Sequence, residues 1–209
     1  MRKDRETARV RIFMDYWNFA RNWQRATAHF PNENLDWGEF PKSILEHLDE
    51  IPHIRNSRKD LRAVKIYASV APLNVEGQDL EAHEINEEQR LQSWLQNDLD
   101  QLAAYTVDIT IRSNKPLRCD LCSHNNSQFV EQGVDTKIAI DLVALASRDL
   151  YDIAVLITDD GDLVPSTQCV QDTIDKQIVH LGFKGQKTDV RNEAWGHLFV
   201  DDMFATILK

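Results

Sequence analysis

The feature that most constrains the fold is a short, wholly apolar segment at Ile153–Ile157, which lies between two helical patterns. Five consecutive apolar residues, mainly β-branched, indicate a strand buried on both faces, as is typical of parallel sheets covered by helices. Further strands are predicted on the same grounds at Val10–Met14, Leu61–Val70, Tyr105–Ile111 and Ile178–Gly182. Strands that alternate with helices predict an α/β fold with a mainly parallel central sheet.

Between these strands, apolar residues recur at helical spacing. Helices are predicted at 36–50, 79–103, from Gly133 onward, at 163–175, and in a C-terminal segment at 190–209. The first strand is expected to run into a polar loop at Asp15.

Composition predicts one soluble domain that spans residues 1–209. A chain of 209 residues with 42% apolar composition can bury a single core, and no spacer rich in Pro, Gly or Ser divides it. Neither a signal peptide nor a run of roughly 18 apolar residues is present, so we expect a cytoplasmic protein with no membrane partner. Three cysteines argue against a secreted disulfide framework.

The charge balance is unfavourable for general attraction to nucleic acid, because 24 basic and 34 acidic side chains give a net charge of −10. A polyanionic substrate would therefore be held locally. The basic residues are concentrated in 1–25 and 55–62, which form either a solvated surface or a backbone-binding edge. The acidic helix predicted at 79–103 is long enough to form a homo-oligomer interface.

Aspartates follow two of the predicted buried strands directly. Asp15 comes after the first strand, and Asp159, Asp160 and Asp162 come after Ile153–Ile157. Ligands of open α/β sheets bind outside the carboxyl ends of the strands, where the strand order reverses. Clustered carboxylates repel one another unless a cation is bound, and oxygen-only ligands suit Mg²⁺ or Mn²⁺. Such ions support phosphodiester cleavage, whereas each aspartate taken singly could be an ordinary turn or capping residue.

The helix that begins near Gly133 supplies two more acids. Asp135 falls in its first turn, where the helix dipole stabilises a carboxylate. Asp141 falls on the apolar stripe, where an unpaired carboxylate would be costly. We therefore expect Asp141 to have a metal, a positive side chain or a backbone donor as its partner.

Three ordered motifs resemble those of NYN domains, the LabA-like branch of the PIN-like ribonucleases. They run from Val10 to Asn18, from Gly133 to Asp141 and from Tyr151 to Pro165, and the similarity spans residues 9 to about 183. This resemblance implies a PIN-like three-layer α/β/α sandwich and Mg²⁺- or Mn²⁺-dependent endonucleolytic cleavage of RNA.

The resemblance also assigns site residues. Asp15, Asp135, Asp160 and Asp162 match the acidic metal ligands, and Asn18 matches the polar residue that supports the first strand's aspartate. Asp141 matches the second acid of the middle motif, as a ligand or as a group that orients another. Two positions depart from the family pattern: Asp159 stands where Gly is usual, and Leu163 where Phe is usual.

The pair Cys119 and Cys122 has the spacing of half a zinc site, with His124 nearby. A complete site needs four ligands, so a structural Zn²⁺, exposed thiols and a redox pair all remain open readings.

Two other functions are compatible with parts of the sequence. A haloacid dehalogenase-type phosphatase also places an aspartate after its first strand. Its chemistry needs a second acid two residues later, where Trp17 stands, so the sequence disfavours this function. A catalytically weak RNA-binding or regulatory module on the same scaffold agrees with the net negative charge and with the extra charge at Asp159.

Overall fold

The structure is a computed structural model that describes residues 7–52, 54, 57–72, 89–118, 125–130 and 133–209. The strands of the described chain are β1 (Thr7–Asp15), β2 (Arg58–Val70), β3 (Tyr105–Ile111), β4 (Ser113–Arg118), β5 (Asn125–Val130), β6 (Ile153–Ile157), β7 (Gln177–Gly182) and β8 (Gly196–Phe199).

The helices are α1 (Tyr16–Thr27), α2 (Pro31–Asn34), α3 (Phe40–His47), α4 (89–99), α5 (Val134–Ser147), α6 (Val164–Gln168), α7 (Asp189–Glu193) and α8 (Phe204–Ile207). Helix α4 ends in a π-helical turn at Leu95–Leu99, and α6 continues into another at Cys169–Thr173. Short 3₁₀ turns occupy Leu48–Glu50, Gly161–Leu163 and Val200–Met203.

Six strands form one sheet in the order β3-β2-β1-β6-β7-β8, and every neighbouring pair is parallel. The chain starts in the middle at β1, builds one half of the sheet outward to β3, and returns to place β6 on the other side of β1. Strand order therefore reverses between β1 and β6. Their carboxyl ends flank the crevice at which open parallel sheets bind ligands.

Both faces of the sheet are covered. Val10, Ile12 and Met14 of β1 pack into the core shared with α1 and α3, while the alternate residue Phe13 packs into the core shared with α5. The helices form a layer on each side, so the three-layer α/β/α architecture expected from the sequence is confirmed. Asp15, two residues after Phe13, belongs to the α5 face.

Several sequence predictions need correction. No polar loop follows β1, because α1 begins at Tyr16 immediately after Asp15. The segment predicted as one helix at 36–50 is helical only from Phe40 to His47, with a 3₁₀ turn after it. The C-terminal segment predicted to be helical contains the edge strand β8. Of the helix predicted at 79–103, residues 79–88 lie outside the described residues.

Within the described part of the chain, no helix combines the length and the apolar character that crossing a membrane requires.

Helix α5 contains a matched pair of isoleucines that tests its burial against the sheet. Ile138 is 0% exposed and Ile140 is 60% exposed. We expect Ile138→Ala to lower the free energy of unfolding by about 2–5 kcal/mol, because it leaves a cavity between α5 and the sheet. Ile140→Ala is expected to change it by less than about 0.5 kcal/mol. Urea denaturation of both variants checks this, and equal losses would contradict the placement of α5.

Candidate functional site at the carboxyl edge of the sheet

Asp15 ends β1 and caps α1. Its Oδ1 accepts a hydrogen bond of 3.1 Å from the backbone N–H of Asn18, and the residue is only 4% exposed. An aspartate in this position satisfies a donor that the helix itself leaves open, and its charge faces the positive end of the helix dipole. The carboxylate is thus fixed at the carboxyl end of the central strand.

Asp160 plays the same role after β6. Its Oδ1 accepts a 2.9 Å hydrogen bond from the backbone N–H of Asp162 and caps the 3₁₀ turn at Gly161–Leu163. The backbone N–H of Asp160 donates to Oγ1 of Thr158 at 3.2 Å. Asp162 itself is exposed. An aspartate whose carboxylate is oriented by a backbone donor therefore stands at the end of β1 and in the turn after β6, the two strands at the reversal of strand order.

Asp135 lies in the first turn of α5, as the sequence predicts. Helix α5 packs on β1 and also contacts the 3₁₀ turn that Asp160 caps. Asp135 therefore belongs to the same edge as Asp15 and Asp160. Across the described residues, however, no three His, Cys, Asp or Glu side chains are close enough to share one ion as the side chains stand.

Asn18 supports the site differently from the role that the resemblance implies. Its backbone, not its side chain, donates to Asp15. The side-chain Oδ1 instead accepts a 3.1 Å hydrogen bond from the backbone N–H of Asp159. Asn18 thereby ties the start of α1 to the turn after β6, and it fixes the two strand ends relative to each other.

Asp159 stands where the motif usually has Gly. Its carboxylate contacts side chains of the protein and is not directed toward the candidate metal ligands. Its Oδ2 accepts a hydrogen bond of 2.9 Å from Nδ2 of Asn22, and its Oδ1 lies 3.2 Å from Nε2 of His180. Oγ1 of Thr188 donates to its backbone carbonyl at 3.1 Å. Asp159 therefore connects α1, β7 and the segment before α7.

His180 is 1% exposed in β7 and is therefore a core histidine. Its Nε2 lies 3.0 Å from the carbonyl oxygen of Thr158, and because a carbonyl only accepts, Nε2 must carry the proton. Gly182 leaves room for this ring. A Cβ on Gly182 would lie 2.5 Å from Cε1 of His180 and 3.3 Å from Oδ1 of Asp159.

The partners of Asp141 are two side chains, Lys65 and Tyr67. Lys65 donates to its Oδ2, and the hydroxyl of Tyr67 donates to the same oxygen at 2.7 Å. Burial by itself would raise the pKa of Asp141, but the hydrogen bonds from Lys65 and Tyr67 outweigh it and hold the pKa below its ordinary value. Burial and the hydrogen bond to Asp141 raise the pKa of Tyr67. Of the three partners that the sequence left open, the structure supplies the positive side chain.

Two acids at or near this site were missed by the sequence analysis. Asp108 on β3 pairs with Lys137 at 2.7 Å and lies 3.7 Å from Lys65, which extends the network around Asp141. Asp189 begins α7, and its Oδ2 would be 3.9 Å from a Cβ on Gly161. Asp189 follows the next strand of the sheet, β7, but several residues separate it from Gly182, so only the tertiary fold shows that it approaches Gly161.

Four aromatic residues that a sequence of this kind could use for base stacking differ in burial. Tyr16 and Phe183 are 1% and 5% exposed and belong to the core. Trp195 is 37% exposed, beside the edge strand β8. Trp17 is partly buried, and its Nε1 donates to the carbonyl oxygen of Ser69 at 2.6 Å.

The cysteine pair predicted as half of a zinc site, Cys119 and Cys122, lies outside the described residues, as does His124. The third cysteine, Cys169, is a partly buried free thiol.

Comparison with known proteins agrees with the fold. The family model described as NYN domain matches residues 9–201, which extends beyond residue 183. A crystal structure of a protein of unknown function from Vibrio parahaemolyticus is similar over 100% of both chains, with 15% sequence identity and a TM-score of 0.54. This likeness concerns the fold. None of the curated proteins compared with the chain matches it.

The close fit of Gly182 against His180 can be tested with a double-mutant cycle. We expect Gly182→Ala to destabilise the protein by about 1–3 kcal/mol, because the new methyl group overlaps the buried ring. In the background of His180→Ala the same change is expected to cost less than about 0.5 kcal/mol. Urea denaturation of the two single variants and the double variant measures the difference. Equal costs in both backgrounds would contradict the packing described for Asp159 and His180.

Proposed function

Because the chain belongs to the NYN domain family, whose fold is of the PIN-like nuclease type, we propose that it is a metal-dependent endoribonuclease. Its site lies where strand order reverses between β1 and β6. The observation that carries the proposal is that a capping aspartate stands at the end of β1, Asp15, and another in the turn that follows the neighbouring strand β6, Asp160.

The donor set fits Mg²⁺ or Mn²⁺. The described acids at this edge offer only oxygen ligands, and Mg²⁺ is commonly bound through one or two carboxylates, with waters and substrate phosphates completing its octahedron. A cage of three protein side chains is therefore not required. We propose that Asp15 and Asp160 hold the ion, and that Asp135 and Asp162, which the family motifs match to further ligands, reach it only if their side chains change rotamer. When bound, such an ion activates water and neutralises charge on the phosphodiester.

The chain's own residues orient these carboxylates. The backbone N–H of Asn18 fixes Asp15, and that of Asp162 fixes Asp160. The Asn18 side chain and the contacts of Asp159 hold the two strand ends together. Asp141 already accepts hydrogen bonds from Lys65 and Tyr67, so we assign it an anchoring role between α5 and β2.

The rival proposal of a catalytically weak RNA-binding module rested partly on the extra charge at Asp159. In the structure that carboxylate contacts Asn22 and His180. The carboxylate of Asp159 therefore has partners within the protein, and only the net charge of the chain still favours the RNA-binding module.

The roles of Asp15 and Asp160 as caps make a clean test available. Asn caps a helix about as well as Asp, so Asp15→Asn and Asp160→Asn remove a charge with little effect on the fold. We expect the wild type to cleave labelled single-stranded RNA with Mn²⁺ and to lose activity in EDTA. Each variant is expected to lose at least about 100-fold in rate, because several kcal/mol of charge stabilisation disappear.

Asp172→Asn serves as the matched control, because Asp172 is exposed and belongs to the π-helical turn after α6 rather than to a strand end. Its cleavage rate should equal that of the wild type. RNA retention without cleavage by any of the proteins would overturn the proposal in favour of the binding module. Cleavage by both strand-end variants at the wild-type rate would show that the activity resides elsewhere.

A further inference from the structure

The exposed face of α1 carries positive charge without a compensating acid. Trp17, Arg21 and Arg25 lie four residues apart and therefore share one stripe of the helix. Arg21 and Arg25 are both exposed. No Asp or Glu occurs between Tyr16 and Thr27. In a chain of net charge −10, this stripe is a local region of opposite sign.

Eight other basic residues of the described chain are paired with carboxylates, whereas the arginines of α1 are not. Carboxylates bind Arg9, Lys42, Lys59, Arg62, Lys65, Lys137, Lys176 and Lys184. Within the part of the chain that the structure describes, no carboxylate lies within ion-pair distance of Arg21 or Arg25. Their guanidinium groups contact the carbonyl oxygen of Trp17 and Oδ1 of Asn22, each at 3.2 Å.

The stripe begins beside Asp15 and is linked through Asn22 to the turn that follows β6. Trp17 lies two residues after Asp15, and the hydrogen bond from its Nε1 to the Ser69 carbonyl fixes the ring against the end of β2. The guanidinium of Arg112 lies 5.1 Å from the centre of this ring. At the other end, Arg25 contacts Asn22, and Asn22 contacts Asp159, the residue before Asp160.

The basic segment at 58–62 lies at the opposite end of the molecule. Arg58 is the register partner of Thr7, the first residue of β1, and so belongs to the amino edge of the sheet. Lys59 and Arg62 are paired with Asp49 and Asp60. This segment, considered from the sequence as a backbone-binding edge, is therefore remote from the carboxyl edge where the aspartates lie.

We propose that the stripe formed by Trp17, Arg21 and Arg25 binds the sugar–phosphate backbone of a single-stranded RNA and leads it to the carboxyl edge of the sheet. This inference rests on the proposed ribonuclease function and names the surface that captures its substrate. Each step of four residues rises about 6 Å along the helix, which suits contacts with successive phosphates of an extended strand. Arg21 and Arg25 bind phosphates, and Trp17, which packs against the core, anchors the start of the stripe next to Asp15.

The test is RNA binding measured without cleavage. Fluorescence anisotropy of an unstructured labelled RNA of about 15 nucleotides is recorded in EDTA, at several salt concentrations between about 50 and about 200 mM. The variant is the double substitution Arg21→Ala and Arg25→Ala, which favours the helix because Ala has the highest helix propensity. The matched control is Arg58→Ala with Arg148→Ala, which removes two exposed arginines at the amino edge.

We expect the α1 double variant to bind RNA about 10-fold more weakly than the wild type. The slope of log affinity against log salt should fall in magnitude by about 1.4, because each phosphate contact on a single strand contributes about 0.7. The control double variant should keep the wild-type affinity and slope, although its net charge changes equally.

Three results would overturn the inference: wild-type protein that does not bind RNA, an α1 double variant that binds RNA as tightly as the wild type, or equal losses in the two double variants, which would indicate only a general charge effect. A failure of the proposed function is distinguishable. Protein that binds RNA through α1 but does not cleave it with Mn²⁺ contradicts the nuclease and leaves the binding surface standing. Wild-type protein that cleaves RNA, with an α1 double variant of unchanged RNA affinity, contradicts the binding surface and leaves the nuclease standing.

Discussion

The parallel pairing of β1 with β6 is the constraint on which the site depends. Val10–Met14 pairs with Ile153–Ile157 residue by residue, although about 140 positions separate the two segments in the chain. Both strands are almost wholly buried between the α1 and α5 layers, so their register is fixed by packing on two faces. That register brings the end of β1 beside the end of β6, and it is the reason that Asp15 and the turn that holds Asp160 lie at the same edge of the sheet.

The carboxylates at this edge serve the fold as well as the proposed chemistry. Asp15 and Asp160 each satisfy a backbone donor at the start of a helical turn, which orients them before any ion arrives. Asp159 shows how a charge can be placed next to such a site without entering it. Its contacts with Asn22 and His180 direct the carboxylate into the protein. Gly182 permits that arrangement because a side chain there would overlap the histidine ring.

The sequence predicts those parts of the structure that depend on local pattern. Buried β-branched strands and the acids that follow them can be predicted, because burial requires consecutive apolar residues and the end of a strand is followed by polar ones. The partners of Asp159 and Asp141 are not visible, because Asn22 and Lys65 are far away in the chain and only the tertiary fold brings them near. Helix α1 was missed because Asp15 resembles a loop residue as much as a helix cap. The cationic stripe on α1 could not be recognised without that helix.

The central claim is that Asp15 and Asp160 share a divalent metal ion. Anomalous diffraction from crystals soaked in Mn²⁺ tests it most directly, because the signal locates the ion without reference to activity. The account predicts an anomalous peak at the carboxyl edge, coordinated by carboxylate oxygens of both residues, and its loss in crystals of Asp160→Asn. Mn²⁺ bound elsewhere, with no peak between these two strand ends, would contradict the account.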